Sequence, residues 1–457
     1  MAMSLKAQIR YDKGTLLIHG DVRVPNSSWD ARSNAYRAQA LHYSEILAFF
    51  EKSNVYYEDY AQSLLPVPRF AGKTELRGYQ KDALDAWVQA GNRGSIVLPT
   101  GAGKTLLAVG AIELLQTSAL VVVPTLELVA QWRRVLTDEF NLEIGVYGGG
   151  ENVLLPLTVS TYDSAYLRAA ELGNKFGLIV FDEVHHLPAE GYRYIAEMSL
   201  SPARMGLTAT YEREDGLHAE LSRLVGGKVF ELSVQELAGD YLSDYEVERL
   251  YVDLMPDEQE EYAAQYRIFT DYLVHSGTVM RTPQDFNRLI MRSGRNGEAR
   301  RALLARNKAM DIALNSRTKI KALEKLLIQN PADQTIIFTQ HNKLVRTIAR
   351  TFLIPAITHL TPKDERREIL DNFHRRRYRI VVTSKVLDEG IDVPDAAQAI
   401  ILSGTGSSRE FIQRLGRILR KREGKQARLV EIVTRNTSEM KMSTRRKRKW
   451  REGENAS

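Results

Sequence analysis

The stretch Ser95–Leu115, SIVLPTGAGKTLLAVGAIELL, decides the fold. A short β-branched run ends at Pro99, a glycine loop follows, and LLAVGAIELL then has the composition of a buried helix. Strand, loop and helix in that order make a phosphate cradle. Gly101 and Gly103 let backbone N–H groups approach a polyphosphate, and the helix behind them presents its positive end. Lys104 is then placed to reach the terminal phosphates, and the Thr105 hydroxyl to ligate Mg²⁺. Leu98 stands where the strict G-x-x-x-x-G-K-[ST] pattern has glycine, while Thr100, Gly101, Ala102, Gly103, Lys104 and Thr105 keep the shorter T-G-x-G-K-T form.

Outward from this loop, short apolar runs alternate with helical stretches: ALVVVP (119–124), LTVS (157–160), LIVF (178–181) and MGLTAT (205–210). Continuous runs of this length suit strands buried on both faces, hence a parallel sheet covered by helices. A second series, TIIFT (335–339), AITHL (356–360), YRIVVTS (378–384) and AQAIILS (397–403), implies a second open α/β unit. Between them, 245–314 is polar, basic and helical in period. Its Tyr262, Tyr266, Phe269, Tyr272 and Phe286 are read mostly as the small core of a helical insertion. The first 65 residues alternate apolar and polar positions (AQIRYDKGTLLIHGDVRV) before a helical YSEILAFFEK, as in a small α+β domain, and LLPVPRF (64–70) reads as a linker.

A chain of 457 residues exceeds one ordinary core and suggests about three units. No apolar run reaches the roughly 18 residues that span a bilayer, and MAMSLKAQIR has no signal-type apolar region, so a cytoplasmic protein is expected. The absence of cysteine excludes disulfides, zinc fingers and thiol chemistry, leaving only His, Asp and Glu to hold a metal. The formal charge of +6 is uneven: eight Arg/Lys stand against Asp285 and Glu298 between Arg281 and Lys308, and the tail carries RRKRKWR at 445–451. That distribution favours a polyanionic partner.

The stretch LIVFDEVHHLP (178–188) offers two histidines and two carboxylates. A zinc protease places its histidines one helical turn apart in H-E-x-x-H, whereas His185 and His186 are adjacent and diverge. The chemistry therefore moves to Asp182 and Glu183, at the carboxyl end of a strand expected beside the phosphate loop, where open sheets bind ligands. Asp182 is read as a Mg²⁺ partner and Glu183 as the group polarising an attacking water.

GAGKT, DEVHH, GLTAT (206–210) and QRLGRILR (413–420), in this order, resemble a superfamily 2 helicase, where the shortened phosphate loop is usual. The DEVH form, the EREDG segment after TAT and the outer regions resemble more narrowly an XPB-type DNA helicase of the short archaeal kind. The resemblance covers nearly the whole chain and is most specific through 75–235 and 315–425. It implies an α/β fold with two RecA-like parallel-sheet domains in tandem, a small N-terminal α+β domain and a helical thumb-like insertion. The implied boundaries are a damage-recognition-like domain at 1–65, an ATP-binding helicase domain at 70–240, the thumb at 245–314, a second helicase domain at 315–440 and a basic tail at 441–457.

By the same resemblance Arg77 and Gln80 in LRGYQ are base contacts, and PTLELVAQW (124–132) and STYDSA (160–165) line a nucleic-acid groove. Thr208 and Thr210 link hydrolysis to strand contact, and Arg213, Glu214 and Asp215 match the charged tripeptide associated with unwinding. His185 is assigned to coupling and His186 to local packing. In the second unit Gly390 and Asp392 face the nucleotide, as does Gln413, while Arg417 and Arg420 are arginine fingers aimed at developing γ-phosphate charge. ATP, Mg²⁺ and DNA are the implied cofactors and partner, the polarity 3'-5', and a nuclease a further protein partner. Rival readings are a remodelling clamp with little unwinding and a non-motor ATP-dependent switch. RNA is set aside on the resemblance alone.

Overall fold

The structure, a computed structural model, describes residues 6–213, 215–237, 241, 245–280, 282–329, 334–384, 396–403 and 427–444. They form two compact units that divide near residue 238. Among the described residues no helix is long and apolar enough to cross a membrane.

The first unit begins with a five-stranded sheet in which Lys6–Asp12 pairs antiparallel with Thr15–His19 and parallel with Tyr56–Tyr60. Its hairpin turns on Lys13 and Gly14, both at positive φ, the backbone that a two-residue turn requires. Alternate residues Ala7, Ile9, Leu16 and Ile18 are buried against Ile46 and Phe50 of the helix Tyr43–Lys52. This domain is docked on the larger one. The Tyr11 hydroxyl lies 3.0 Å from the Ala170 carbonyl and 2.9 Å from that of Met198. A Cβ at Gly173 would clash with both the Met198 carbonyl oxygen and the Tyr11 hydroxyl. Residues 61–65 then run along 174–175 through Ser63 N–H to the Asn174 carbonyl and Leu65 N–H to that of Lys175.

The larger domain holds an eight-stranded sheet in the order Lys228–Glu231, Arg93–Val97, Ala203–Thr208, Leu178–Asp182, Ala119–Val123, Leu157–Thr161, Gly145–Gly148 and Glu151–Asn152. All neighbours are parallel except the last pair. The four central runs are buried at every residue, as strands covered on both faces must be. One detail of the expected arrangement is corrected: the Asp182 strand does not lie directly beside the phosphate-loop strand. The Thr208 strand stands between them, with Leu207 opposite Asp182 and Thr208 opposite Val97.

The second unit carries a six-stranded, wholly parallel sheet, ordered Tyr245–Val252, Ala427–Thr434, Gln398–Ile401, Thr335–Phe338, Ile380–Thr383 and Ala356–Ile357. The segment expected to be helical throughout thus opens with a strand, Tyr245–Val252, in register with Ala427–Thr434. Three helices follow, Pro256–His275, Pro283–Ser293 and Gly297–Leu314. The last presents Ala299, Ala302, Ala305, Ala309 and Ala313 inward at three- and four-residue steps, so small side chains let the helix pack closely. Tyr262 and Phe269 are buried there, and the Arg306 guanidinium sits 4.4 Å from the centre of the Phe286 ring. Residues 438–444 are helical, with Ser443 buried, so order extends into the stretch expected as tail.

Candidate functional site

Three neighbouring strand ends build the site. Val97 leads into the phosphate loop, Thr208 ends the middle strand, and Asp182 ends the third. The loop is tied to the middle strand by Leu98 N–H to the Thr208 carbonyl, 3.0 Å. Gly101 and Gly103 have φ of 90° and 73°, which a residue with a Cβ rarely adopts. Gly103 caps the helix Lys104–Leu115 with no side-chain bond, and while Leu106 N–H bonds the Gly103 carbonyl at 3.0 Å, the N–H groups of Lys104 and Thr105 at the helix start are placed for an anion. Lys104 Nζ donates to the carbonyls of Leu98, 3.1 Å, and Pro99, 3.5 Å. The Thr100 hydroxyl is buried with no partner among the described residues. A cradle of backbone donors, a lysine held by carbonyls and an orphaned hydroxyl fits a polyphosphate.

Gln80, expected as a base contact, is engaged with the loop. It is 1% exposed, and its amide donates to the carbonyls of Ala102, 3.2 Å, and Gly103, 3.3 Å, while its oxygen accepts from Arg77 N–H at 2.9 Å. The Tyr79 hydroxyl donates to the same Ala102 carbonyl at 2.7 Å. Arg77 caps the helix Gly78–Gln89. The sequence gives no hint that the loop is held from beneath, since glutamine after a helix start reads only as polar.

Asp182 is pinned on both carboxylate oxygens. Oδ2 accepts the Trp132 indole N–H at 2.9 Å, Oδ1 accepts Glu183 N–H at 3.0 Å, and its main-chain carbonyl accepts the Tyr162 hydroxyl at 3.1 Å. Burial pushes the Asp182 carboxyl above the usual range, opposed by the Trp132 bond and the Lys104 charge. Burial likewise pushes the Tyr162 phenol up. Among the described residues no group of three or more His, Asp or Glu is placed to hold a metal alone. Thr105 and Asp182 are the residues expected to hold a cation here, and two protein ligands would suit an ion that keeps most of its waters, as Mg²⁺ does.

Glu183 has φ 48° and ψ 54°, a left-handed backbone that a non-glycine residue adopts at a cost of about 1–3 kcal/mol. Its side chain lies toward the middle strand, where Oε2 is 3.4 Å from the Thr208 hydroxyl oxygen and 3.4 Å from His185 Nδ1. His185 is fully buried, with Nδ1 3.0 Å from the Thr208 hydroxyl. The Thr208 hydroxyl also lies 2.8 Å from the Thr210 carbonyl. One hydroxyl therefore joins the water-polarising candidate, the histidine and the TAT turn. His186 packs its ring against Tyr162, 5.9 Å between centres. Arg213 donates to the His185 carbonyl and grips Asp215 with two bonds, 3.0 and 2.6 Å, which hold the Asp215 carboxyl down to about 2.

Glu214, Gly390, Asp392, Gln413, Arg417 and Arg420 lie outside the described residues. Reasoning from motifs passed over Trp132 and Tyr162 as individuals, although both fall in quoted motifs. The available signal was that a buried indole or phenol needs a polar partner.

Models of known families match three stretches: the damage recognition domain of xeroderma pigmentosum group B helicase at 9–61, the res subunit of type III restriction enzymes at 73–213, and the helicase conserved C-terminal domain at 318–422. The DNA 3'-5' translocase XPB2 of Sulfurisphaera tokodaii is 44% identical over 439 residues, covering 96% of this chain and 99% of that protein. The DNA 3'-5' helicase XPB of Mycobacterium tuberculosis is 31% identical over 388 residues, covering 82% of this chain and 63% of its own. The crystal structure of the Pyrococcus furiosus Hef helicase domain superposes with a TM-score of 0.55 at 19% identity, covering 81% of this chain and 97% of that one, a likeness of fold. With identity sustained from end to end of a full-length relative, and the helicase and damage-recognition models falling in the same order, the chain belongs to the XPB family of DNA helicases and translocases.

Proposed function

We propose that this chain is an ATP-driven motor that tracks along DNA with 3'-5' polarity and opens duplex in DNA repair or transcription. The observation that carries the reading is the convergence of phosphate loop, Asp182–Glu183 and Thr208 on three adjacent strand ends, with Glu183 bonded to Thr208. Lys104 and the loop N–H groups bind and orient the polyphosphate, and Thr105 with Asp182 holds Mg²⁺. Bound Mg²⁺ supplies charge neutralisation on the phosphate oxygens. Glu183 takes up a proton from the attacking water. Thr208 and His185 hold its carboxylate in place, so a shift at the TAT turn is felt at the base. Arg213 extends that connection to the charged tripeptide through the His185 carbonyl.

Gly390, Asp392, Gln413, Arg417 and Arg420 are assigned to the nucleotide by motif. The domain boundaries drawn from the sequence, with a damage-recognition-like N-terminal domain and a DNA-gripping thumb, belong to the same proposal. Arg288 is largely exposed, as the grip requires, whereas Arg306 is packed on Phe286 and serves the fold. A nuclease partner and a cytoplasmic setting complete it.

Glu183→Gln tests the motor. DNA binding with ATP should persist while turnover falls about 10²- to 10⁴-fold and strand separation stops; continued unwinding by that variant defeats the assignment. Turnover measured with no nucleic acid, single strand, duplex and RNA, beside fork unwinding and protein displacement, separates the motor from a remodelling clamp. Stimulation by RNA alone would overturn the choice of DNA.

A further inference from the structure

The helix Leu126–Phe140 carries three functional contacts at a seven-residue repeat. Thr125 caps its start, accepting Leu128 N–H at 3.3 Å, and belongs to the segment assigned to the nucleic-acid groove. Trp132, 1% exposed, donates its indole N–H to Asp182 Oδ2. Glu139, near the far end, accepts Lys73 N–H and Thr74 N–H at 3.0 Å each, and the Thr74 hydroxyl. Seven residues make nearly two turns, so all three lie along one face of the helix, spaced by about 10 Å of rise.

Residues 73–74 run directly into the helix that begins at Gly78, whose Tyr79 and Gln80 hold the Ala102 and Gly103 carbonyls. A single helix therefore has the groove-assigned Thr125 at one end, the carboxylate assigned to Mg²⁺ bonded at its middle, and the segment leading to the phosphate-loop support bonded at its other end. No flexible connection intervenes at Trp132. A buried side chain bonded to a buried carboxylate moves with its helix or breaks the bond.

We propose that Trp132 is a positioning residue that couples DNA occupancy to the nucleotide site, by carrying displacement of the Leu126–Phe140 helix onto the Asp182 carboxylate. Engagement of the groove end fixes the helix, and the indole N–H then holds Oδ2 in the orientation that receives the cation. Bound nucleotide, through the same bond, fixes the groove end. The linkage is reciprocal, as any coupling between two binding sites must be. It rests on the reading of this chain as a DNA-dependent ATPase and adds the route by which the two ligands sense each other.

Trp132→Phe removes the donor and keeps an aromatic ring in the core. The probe is a fluorescent ADP analogue with Mg²⁺, titrated with and without single-stranded DNA. In the native protein DNA should tighten the analogue at least fivefold, within the usual range of allosteric coupling. In Trp132→Phe that factor should fall below twofold. Tyr162 falls within the groove-assigned 160–165, but its side chain is buried and its hydroxyl is turned to Asp182. Tyr162→Phe therefore loosens the same aspartate at its main-chain carbonyl without touching the helix or presenting a changed surface to DNA. It should weaken the analogue yet keep the native coupling factor, a pattern that general loosening of Asp182 does not give.

Native coupling in Trp132→Phe overturns the proposal, and so does equal loss of coupling in both variants. Absence of coupling in the native protein overturns the underlying motor reading instead. If Trp132→Phe does not fold, hydrogen exchange on the native protein decides. DNA alone should slow exchange in 126–140 and in 180–184 together, and protection confined to the first four residues of the helix defeats the route.

Discussion

Replacing Gln80 by alanine separates two roles that a glutamine at this place could have. In the structure its amide donates to the Ala102 and Gly103 carbonyls at 3.2 and 3.3 Å, and its oxygen accepts from Arg77 N–H. A neutral hydrogen bond contributes about 0.5–1.5 kcal/mol net. The two bonds to the loop are long, and Ala102 keeps its bond from Tyr79, so the loop should lose roughly 1–2 kcal/mol of preference for its present shape. At about 1.4 kcal/mol per decade this raises the apparent KM for nucleotide by about 5- to 30-fold. Because the lost contacts are to the loop, ATP and GTP should suffer alike. Steady-state turnover with each nucleotide, with saturating DNA, measures both numbers. A selective loss of ATP use, with GTP kinetics unchanged, would show that the amide reads the base and would refute the argument from the loop.

Gly173→Ala places a methyl against the Tyr11 hydroxyl and the Met198 carbonyl, and the carbonyl cannot yield without moving backbone. Overpacking of this kind costs about 1–3 kcal/mol, so protease cleavage within 61–65 should accelerate while the N-terminal domain itself stays folded; an unchanged cleavage rate would refute the docking. Asp215, held down to about 2 by Arg213, has a folded-state value below its unfolded one. Its pairing therefore contributes fully above about pH 4 and is lost as pH falls toward 2, so the pair should add no titration to unwinding between pH 5 and 9. Arg213→Ala, which also cuts the bond to the His185 carbonyl, should lower unwinding more than turnover; equal losses would place Arg213 in hydrolysis instead.

How much of this was legible in the sequence depends on how local each feature is. The strand-loop-helix order around the phosphate-loop motif is legible because strand, glycines and helix lie within twenty-one residues, and the glycines' positive φ is a local demand. The DEVH stretch reads as carboxylate chemistry for the same reason. Strand order does not read this way. The Thr208 strand enters between its neighbours through pairings about 25 and 110 residues apart in the chain, and no window of sequence reports that. The strand Tyr245–Val252 was read as helical because YEVERLYV mixes charged and apolar residues. Its partner lies 182 residues downstream, and its Arg249 bonds Glu431 at 2.9 Å across the register, so tertiary pairing overrides the local pattern. The support Gln80 gives the loop was not legible, because a motif names a residue without saying which way its amide turns.

The docking of the N-terminal domain also has a mechanical sense. Residues 61–65 lie along 174–175, just before the strand Leu178–Asp182 begins, whereas Asp182 ends that strand. Five residues of extended chain span about 17 Å. An N-terminal domain mounted at the amino end of a fully buried parallel strand stands away from the carboxyl end to which nucleotide chemistry is assigned. Its Tyr11 and Gly173 contacts are short and backbone-defined, with no titratable pair that a cellular change in pH would reverse. The attachment therefore serves as a fixed mount. On the proposed reading, whatever the domain met on DNA would reach the motor as a position of the whole unit, and the proposed ligand coupling would run through the Trp132 helix and the Thr208 hydroxyl at the opposite end of the sheet.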